Sequence, residues 1–277
     1  MSDLNYTTAI VLGVIQGLTE FLPISSSGHL ALTQRWMGLT ADAPVMLLFD
    51  VLAHVGTLMA VGVVFAPPAA RFAKRLSLET RTDPPRSRFA RRTLLLAVAA
   101  TIPTGAIGLG LEDTFKRAFA RPVWIGAGLM VTGTMLGLLA WVRRGRRGWR
   151  DFPMLSAVLV GVAQGAAILP GVSRSGATIC VASYCGLRRR WAAQFSFLIA
   201  VPPILGAALL EIIDVARLPA EQLVDLPVGA LVLGGLTSML VGVVALRLLL
   251  SAVRRAKLHY FAAYCGMMGI VVLVSSM

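Results

Sequence analysis

GVIQGLTEFLPISSSGHL at residues 13–30 and GVAQGAAILPGVSRSGAT at residues 161–178 are two copies of one segment, and their relation decides the fold. Gln16 matches Gln164 at an offset of 148, Pro23 matches Pro170 at 147, and Gly28 matches Gly176 at 148 again, so one gap on each side of the proline aligns them. The copies lie in apolar stretches, 6–37 and 154–187, which polar residues, a proline and a serine–glycine run interrupt in mid-course. A proline stops a helix, while serines cap the start of the next. Each stretch is therefore expected to be two half-helices joined by a tip.

Working outward, each copy is followed by three apolar runs long enough to cross a hydrocarbon core of ~30 Å as helices. They lie near Pro44–Ala66, Thr93–Leu111 and Pro122–Val142, then near Trp191–Ile213, Pro227–Leu250 and His259–Ser276. The 277 residues thus read as a single integral membrane domain, 1–277, made of repeat 1 (about 6–142) and repeat 2 (about 154–276). Composition agrees: 57% hydrophobic and 14% charged residues, with a mean hydropathy of +0.77, exclude a soluble globular enzyme, a disordered chain and a disulfide scaffold. The opening MSDLNYTTAIVLG lacks a basic n-region and a small-residue cleavage site, so no removed leader is expected. Cys180, Cys185 and Cys265 sit in apolar surroundings without zinc spacing and read as small hydrophobes.

Charge orients the chain. If each interrupted segment enters and leaves on one side, three crossings follow it, and the second repeat must lie inverted relative to the first. One side then holds loops 67–92 and 143–152, Arg188–Arg190 and loop 251–258, with nineteen of the 26 basic residues. The other side receives Arg35, Lys116, Arg117, Arg121 and Arg217 and most of the acidic loop 214–226. That asymmetry is the positive-inside signal; two spanning interrupted segments would not sort the loops this way. The net charge of +13 is therefore an orientation signal, and no nucleic-acid partner is expected. The fold class is an all-α polytopic membrane protein with two inverted-topology repeats, six transmembrane helices and two re-entrant helix–loop–helix segments. Its two tips meet near the midplane, where irregular backbone must be buried in protein or line a wet cavity.

The tips carry the chemistry. Gln16 and Glu20 are four apart and share a helix face; Ser25, Ser26, Ser27, Gly28 and His29 follow Pro23. The second tip offers Ser173, Arg174 and Ser175. Free amides at the start of each second half-helix form an anion site, and a guanidinium suits phosphate. Glu20, Ser26 and His29 correspond to Ile168, Arg174 and Ala177, so one tip kept the acid and imidazole and the other the cation. A phosphate-ester site accounts for that division. The structural alternatives are serines as turn formers, His29 as a core residue, and Glu20 paired with Arg174 across the repeat interface. Asp50 and His54, four apart in the first full span, either line the same cavity or hydrogen-bond between helices; Gln164 is a further lining candidate. Gly13/Gly17, Gly133/Gly137 and Gly161/Gly165 are spaced for close helix packing.

At QGLTEFLPISSSGHL, FDVLAHVGTLMAV, PGVSRSGATI and AAQFSFLIAVPPIL the chain resembles the undecaprenyl-diphosphate phosphatases, the bacitracin-resistance family, over nearly its whole length. The resemblance implies hydrolysis of the C55 isoprenoid diphosphate to the monophosphate in the bacterial cytoplasmic (inner) membrane, recycling the lipid carrier of peptidoglycan synthesis, with the pocket open to the outer side. It implies a divalent metal, Mg²⁺ or Ca²⁺, and places the family's motifs on Gln16 and Glu20, on Ser26, Ser27 and His29, and on Ser173, Arg174 and Ser175. Two departures stand out. Gln16 occupies a position where many members have Glu, which puts a two-carboxylate metal site in doubt, and Asp50 and His54 stand where Glu and Gln are common.

The expected mechanism has Arg174 and the amides after Ser26 and Ser173 holding phosphates, with Ser25, Ser27, Gly28 and Ser175 around them. Glu20 and Gln16 are expected at the metal, Ser26 as nucleophile and His29 in proton transfer, with direct attack by water as the alternative. Two other readings compete. A flippase of the polyprenyl phosphate would use the same broken-helix architecture. The acid-phosphatase-like lipid phosphatases have a Lys-x6-Arg-Pro motif that Lys116 and Arg121-Pro122 do not match in spacing, and no His and Asp follow Arg174 at the short spacing that family requires. The sequence leaves a homodimer open.

Overall fold

The computed structural model describes residues 4–40, 43–77, 84–142, 145–217, 226–255 and 257–276. Their regular structure is helical, as a lipid environment demands of any backbone that does not close into a barrel. The chain runs through α1 (Tyr6–Phe21), α2 (Ser26–Trp36), α3 (Pro44–Ser77), α4 (Pro84–Gly110), α5 (Glu112–Phe119) and α6 (Pro122–Leu138). It continues through a 3-10 turn (Trp149–Asp151) into α7 (Met154–Ala166), α8 (Arg174–Tyr184), α9 (Arg189–Ala216), α10 (Val228–Arg254) and α11 (His259–Ser275). Both interrupted stretches are broken helices, α1–α2 and α7–α8.

Four helical stretches are long and apolar enough to cross a membrane: Pro44–Ala66, Arg88–Gly110, Arg189–Ala216 and Val228–Arg254. Helices α6 and α11 have 17 residues each, ~25 Å at 1.5 Å per residue, and pack on one another. The expected span to Val142 stops early because the amides of Ala140 and Trp141 bond to the carbonyls three residues back, Gly137 and Leu138, which tightens the end of α6. Leu94, Leu95, Val98 and Ile102 on α4, and Leu236, Leu240, Val244 and Leu248 on α10, point outward, the pattern of faces meant for lipid rather than water.

Much of the basic stretch 67–92 is not loop. Helix α3 continues to Ser77 and α4 begins at Pro84, because residues such as Ala, Arg, Lys and Leu sustain a helix beyond the apolar span. Residues 78–83 and 143–144 of the basic loops and 218–225 of the acidic loop lie outside the described residues. Helix α5 was not foreseen. It is a short amphipathic piece with Glu112 and Asp113 in its first turn, Lys116 and Arg117 in its last, and Phe115 and Ala118 buried, an arrangement that complements the helix dipole.

The repeats exchange partners: α1 packs on α10 and α7 on α4. Glycines permit the approach. A methyl group at Gly13 would stand 2.5 Å from the Gly234 carbonyl oxygen and one at Gly17 2.7 Å from that of Ser238, while one at Gly161 would overlap the carbonyl of Ala100. The predicted use of these spacings is realised. Both ends of the first broken helix, Leu4 and Leu39, pack in one cluster with Met46 and Phe49. At the second, the Arg147 amide donates to Gly186 O at 3.0 Å and the Arg188 amide to Arg147 O at 3.1 Å, so the chain entering α7 meets the chain leaving α8. Around that junction Phe89 stacks on Trp149, and Trp149–Trp191, Trp149–Phe195 and Phe152–Phe195 meet edge on face, beside Arg150 over Phe89 and Arg190 over Trp191.

Candidate active site

Each broken helix delivers a tip of defined geometry. In the first, the chain leaves α1 at Phe21 and turns through Leu22-Pro23-Ile24 to Ser25, whose φ of 70° is the one positive value at a non-glycine among the described residues. Such a conformation persists only when neighbours over-determine it. Here the Ser25 hydroxyl caps α2 by accepting from Gly28 N at 3.3 Å, and its carbonyl accepts the His29 amide at 3.2 Å. In the second tip Gly171 takes φ 86°. Ser173 caps α8 by accepting from Gly176 N at 3.1 Å, and its own amide donates to Thr132 Oγ1 at 2.9 Å. The tips touch: Ser175 Oγ donates to Leu22 O at 3.4 Å, and a methyl at Gly28 would lie 3.1 Å from Gly171 Cα.

Glu20, at the end of α1, is the centre of this junction. Its side chain is 1% exposed. One carboxylate oxygen receives the Arg174 guanidinium, at the start of α8. The other accepts Ser26 Oγ at 2.6 Å and Gln16 Nε2 at 3.0 Å, with His54 Nε2 4.0 Å away. The structural alternative, pairing of Glu20 with Arg174 across the repeats, is thus realised, but it leaves the guanidinium half used. Arg174 Nη1 is buried without a partner, and an unpaired buried donor is costly unless something arrives to accept from it. The first-turn amides of α2 and α8, which no helix can satisfy internally, start at Ser26 and Arg174. A narrow cleft opens from Glu20, Arg174, Ser175 and Ser196 between α3 and α9, where Leu58, Val61 and Ile204 make it apolar.

The metal-binding expectation meets a limited donor set. Among the described residues no three His, Cys, Asp or Glu side chains converge, so the protein alone offers no cage. Gln16 Oε1, however, is buried without a partner. Its identity as oxygen follows from chemistry, since the other amide atom donates to Glu20. One carboxylate and one amide oxygen on a single helix face fit a hard ion that completes its shell with water and phosphate.

The remaining candidates divide. Ser27 Oγ sits 3.4 Å from Ser25 Oγ, and Ser173 Oγ 3.3 Å from Ser175 Oγ, within the tips. Ring nitrogens of His29 engage Ser25 O at 2.8 Å and Tyr264 Oη at 2.7 Å, away from Ser26 Oγ. His54 reaches the edge of the site with Nδ1 on Asp50 O at 2.7 Å, while the Asp50 carboxylate accepts from Gln34 Nε2 at 3.1 Å. Gln164, the counterpart of Gln16, serves elsewhere. Its amide donates to Thr104 Oγ1 at 3.2 Å and Ile199 O at 3.1 Å, a carbonyl that Pro203 within α9 leaves without its amide four residues on. Sequence reasoning missed Thr132, Tyr264, Ser196 and Gln34. A hydroxyl within an apolar span was the signal available for Thr132 and Tyr264, and Thr134 and Tyr260 carry the same signal.

The family model described as bacitracin resistance protein BacA matches residues 9–271. A protein of Alkaliphilus metalliredigens named undecaprenyl-diphosphatase is 41% identical, over 97% of this chain and 98% of its own length. Proteins of the same name from Desulfatibacillum aliphaticivorans and Carboxydothermus hydrogenoformans are 41% and 40% identical, over 99% and 98% of this chain and 99% and 97% of their own lengths. Matched by that model from residue 9 to residue 271, and by these relatives at about 40% identity over nearly its full length, the chain belongs to the bacitracin resistance protein family BacA.

Proposed function

We propose that the protein is a membrane phosphatase that hydrolyses undecaprenyl diphosphate to undecaprenyl phosphate and inorganic phosphate, recycling the lipid carrier of peptidoglycan synthesis and giving bacitracin resistance. The observation that carries the reading is Glu20, whose buried carboxylate holds both the Ser26 hydroxyl and the Arg174 guanidinium. The names of the relatives supply the substrate.

The diphosphate binds at the Arg174 fork and the first-turn amides of α2 and α8, where Arg174 Nη1 gains the acceptor it lacks. The prenyl tail follows the apolar cleft between α3 and α9. Ser26 Oγ attacks the terminal phosphorus, its proton passes to Glu20 Oε2, and the bridging P–O bond breaks to release undecaprenyl phosphate. Water then displaces Ser26 from phosphorus, Glu20 returns the proton to the serine oxygen, and phosphate leaves. Glu20 and Gln16 would hold Mg²⁺ or Ca²⁺, which supplies charge neutralisation to the phosphates when bound. Every residue invoked comes from one chain, so a homodimer is not needed to complete the site.

In the same reading six helices cross the membrane, α1–α2 and α7–α8 are re-entrant, and the repeats are inverted. The cluster joining Leu4 to Leu39 and the bonds joining Arg147 to Gly186 and Arg188 support a return of each broken helix to its own side. The site then opens to the outer face of the bacterial cytoplasmic membrane. Phosphate release from the C55 diphosphate by purified protein in detergent tests the reading: the phosphatase releases it, whereas a flippase of the lipid monophosphate releases none.

A further inference from the structure

His29 and Tyr264 form a unit that the phosphatase mechanism does not use. Tyr264, on α11, lies 2.7 Å from His29 Nε2, and the two rings stack with centroids 5.7 Å apart at 17°. The other ring nitrogen lies 2.8 Å from Ser25 O. A carbonyl oxygen can only accept, so Nδ1 carries the proton and donates to Ser25; Nε2 is then the acceptor, and the Tyr264 hydroxyl donates to it. The tautomer is fixed from both ends. Neither nitrogen is turned to Ser26, whose hydroxyl is already committed to Glu20 at 2.6 Å.

What this chain of bonds secures is Ser25, the residue held at φ 70°. A serine in that region is strained and needs support from its surroundings. Ser25 is followed directly by Ser26, so relaxation of its backbone swings the Ser26 hydroxyl off Glu20. We propose that Tyr264 is a positioning residue: through His29 it locks the Ser25 carbonyl and thereby aims Ser26. His29 is then a strut of the tip rather than a proton carrier. This inference rests on the phosphatase reading.

The test uses purified full-length protein and phosphate release from C55 diphosphate, with the thermal midpoint in detergent followed in parallel. Tyr264→Phe keeps the ring and removes the donor. Loss of one ordinary hydrogen bond predicts kcat down roughly 3- to 10-fold, with a smaller rise in KM, because the Ser26 amide shares the Ser25 peptide while the Arg174 fork and the amides of α8 stay in place. His29→Asn places an amide N–H where Nδ1–H stood, and is expected to keep several-fold more kcat than His29→Ala. In the His29→Ala background Tyr264→Phe has no further effect, since its path to the tip is gone. Additive losses, an effect confined to KM, or equal damage by Asn and Ala at His29 would each overturn the proposal. Absence of phosphate release from the wild type would instead remove the phosphatase reading on which it stands.

Discussion

Arg174 and Glu20 stand 154 residues apart in sequence and share an ion pair that ties the start of α8 to the end of α1. The pair joins the two broken helices, and in the proposed mechanism it also supplies two working groups; the two roles separate by mutation. Glu20→Gln is expected to lower kcat by about 10²–10⁴-fold as the acceptor for the serine proton is lost. Arg174→Ala is expected to cost about 10²–10³-fold, with Arg174→Lys between it and wild type because an ammonium cannot fork. Breaking a buried pair from one side leaves an uncompensated charge, on the order of 3–5 kcal/mol. The double variant Glu20→Gln with Arg174→Met should therefore melt above Arg174→Met alone while remaining inactive.

Ser26 decides between covalent and direct hydrolysis. Its hydroxyl reaches Glu20 Oε2 at 2.6 Å, the contact needed to deliver its proton as it attacks. Ser26→Ala is expected to abolish turnover by at least about 10³-fold, judged by the scale of nucleophile removal in other hydrolases. Phosphate release within tenfold of wild type would establish water as the attacking group.

The broken helices were legible because their punctuation is local: Pro23, the serine run, Pro170 and Gly171 act on their own neighbours. Glu20 and Arg174 were legible as a pair because charge inside a membrane has few places to go. The contacts of Thr132 with Ser173 and of Tyr264 with His29 were not, since each joins a tip to a distant helix through one hydroxyl. Gln164 shows the opposite failure. Its place in the repeat matched Gln16, but its task is set by Pro203 on α9, which no alignment of the two tips contains. Helix α5 escaped notice because EDTFKRAF is short and polar enough to read as a loop.

Metal dependence should follow Gln16. With one carboxylate and one amide oxygen available, an ion at these donors would be held weakly without phosphate, so a chelator is expected to stop phosphate release and millimolar Mg²⁺ or Ca²⁺ to restore it. Gln16→Glu adds a second carboxylate beside Glu20 and is expected to lower the Mg²⁺ concentration for half-activity. It should also raise the thermal midpoint on adding Mg²⁺ without substrate, by the linkage of binding to stability. A midpoint indifferent to the ion in both proteins would count against these donors.

Helix packing gives a prediction independent of the chemistry. At Gly161 a methyl group would overlap the Ala100 carbonyl, whereas Gly62 on α3 has nothing within 4 Å of such a group. Gly161→Ala is expected to destabilise by about 1–3 kcal/mol through overpacking of α7 on α4. Gly62→Ala is expected to be neutral or to stabilise by up to about 1 kcal/mol through helix propensity. Thermal midpoints in one detergent rank the two against wild type.

The inverted arrangement makes opposite claims for two glycines outside the helices. Gly38 follows α2 on the side assigned few basic residues, and Gly148 precedes α7 beside Arg146, Arg147 and Arg150. With Cys180, Cys185 and Cys265 first replaced by alanine or serine, a single cysteine at each position reports its side by reaction with a membrane-impermeant maleimide. Gly38→Cys is expected to react in intact cells, and Gly148→Cys only after the membrane is opened. In the re-entrant arrangement α1–α2 returns to its own side, so a cysteine at Tyr6 should behave like the one at Gly38. If the first broken helix spanned the membrane instead, those two would label from opposite faces.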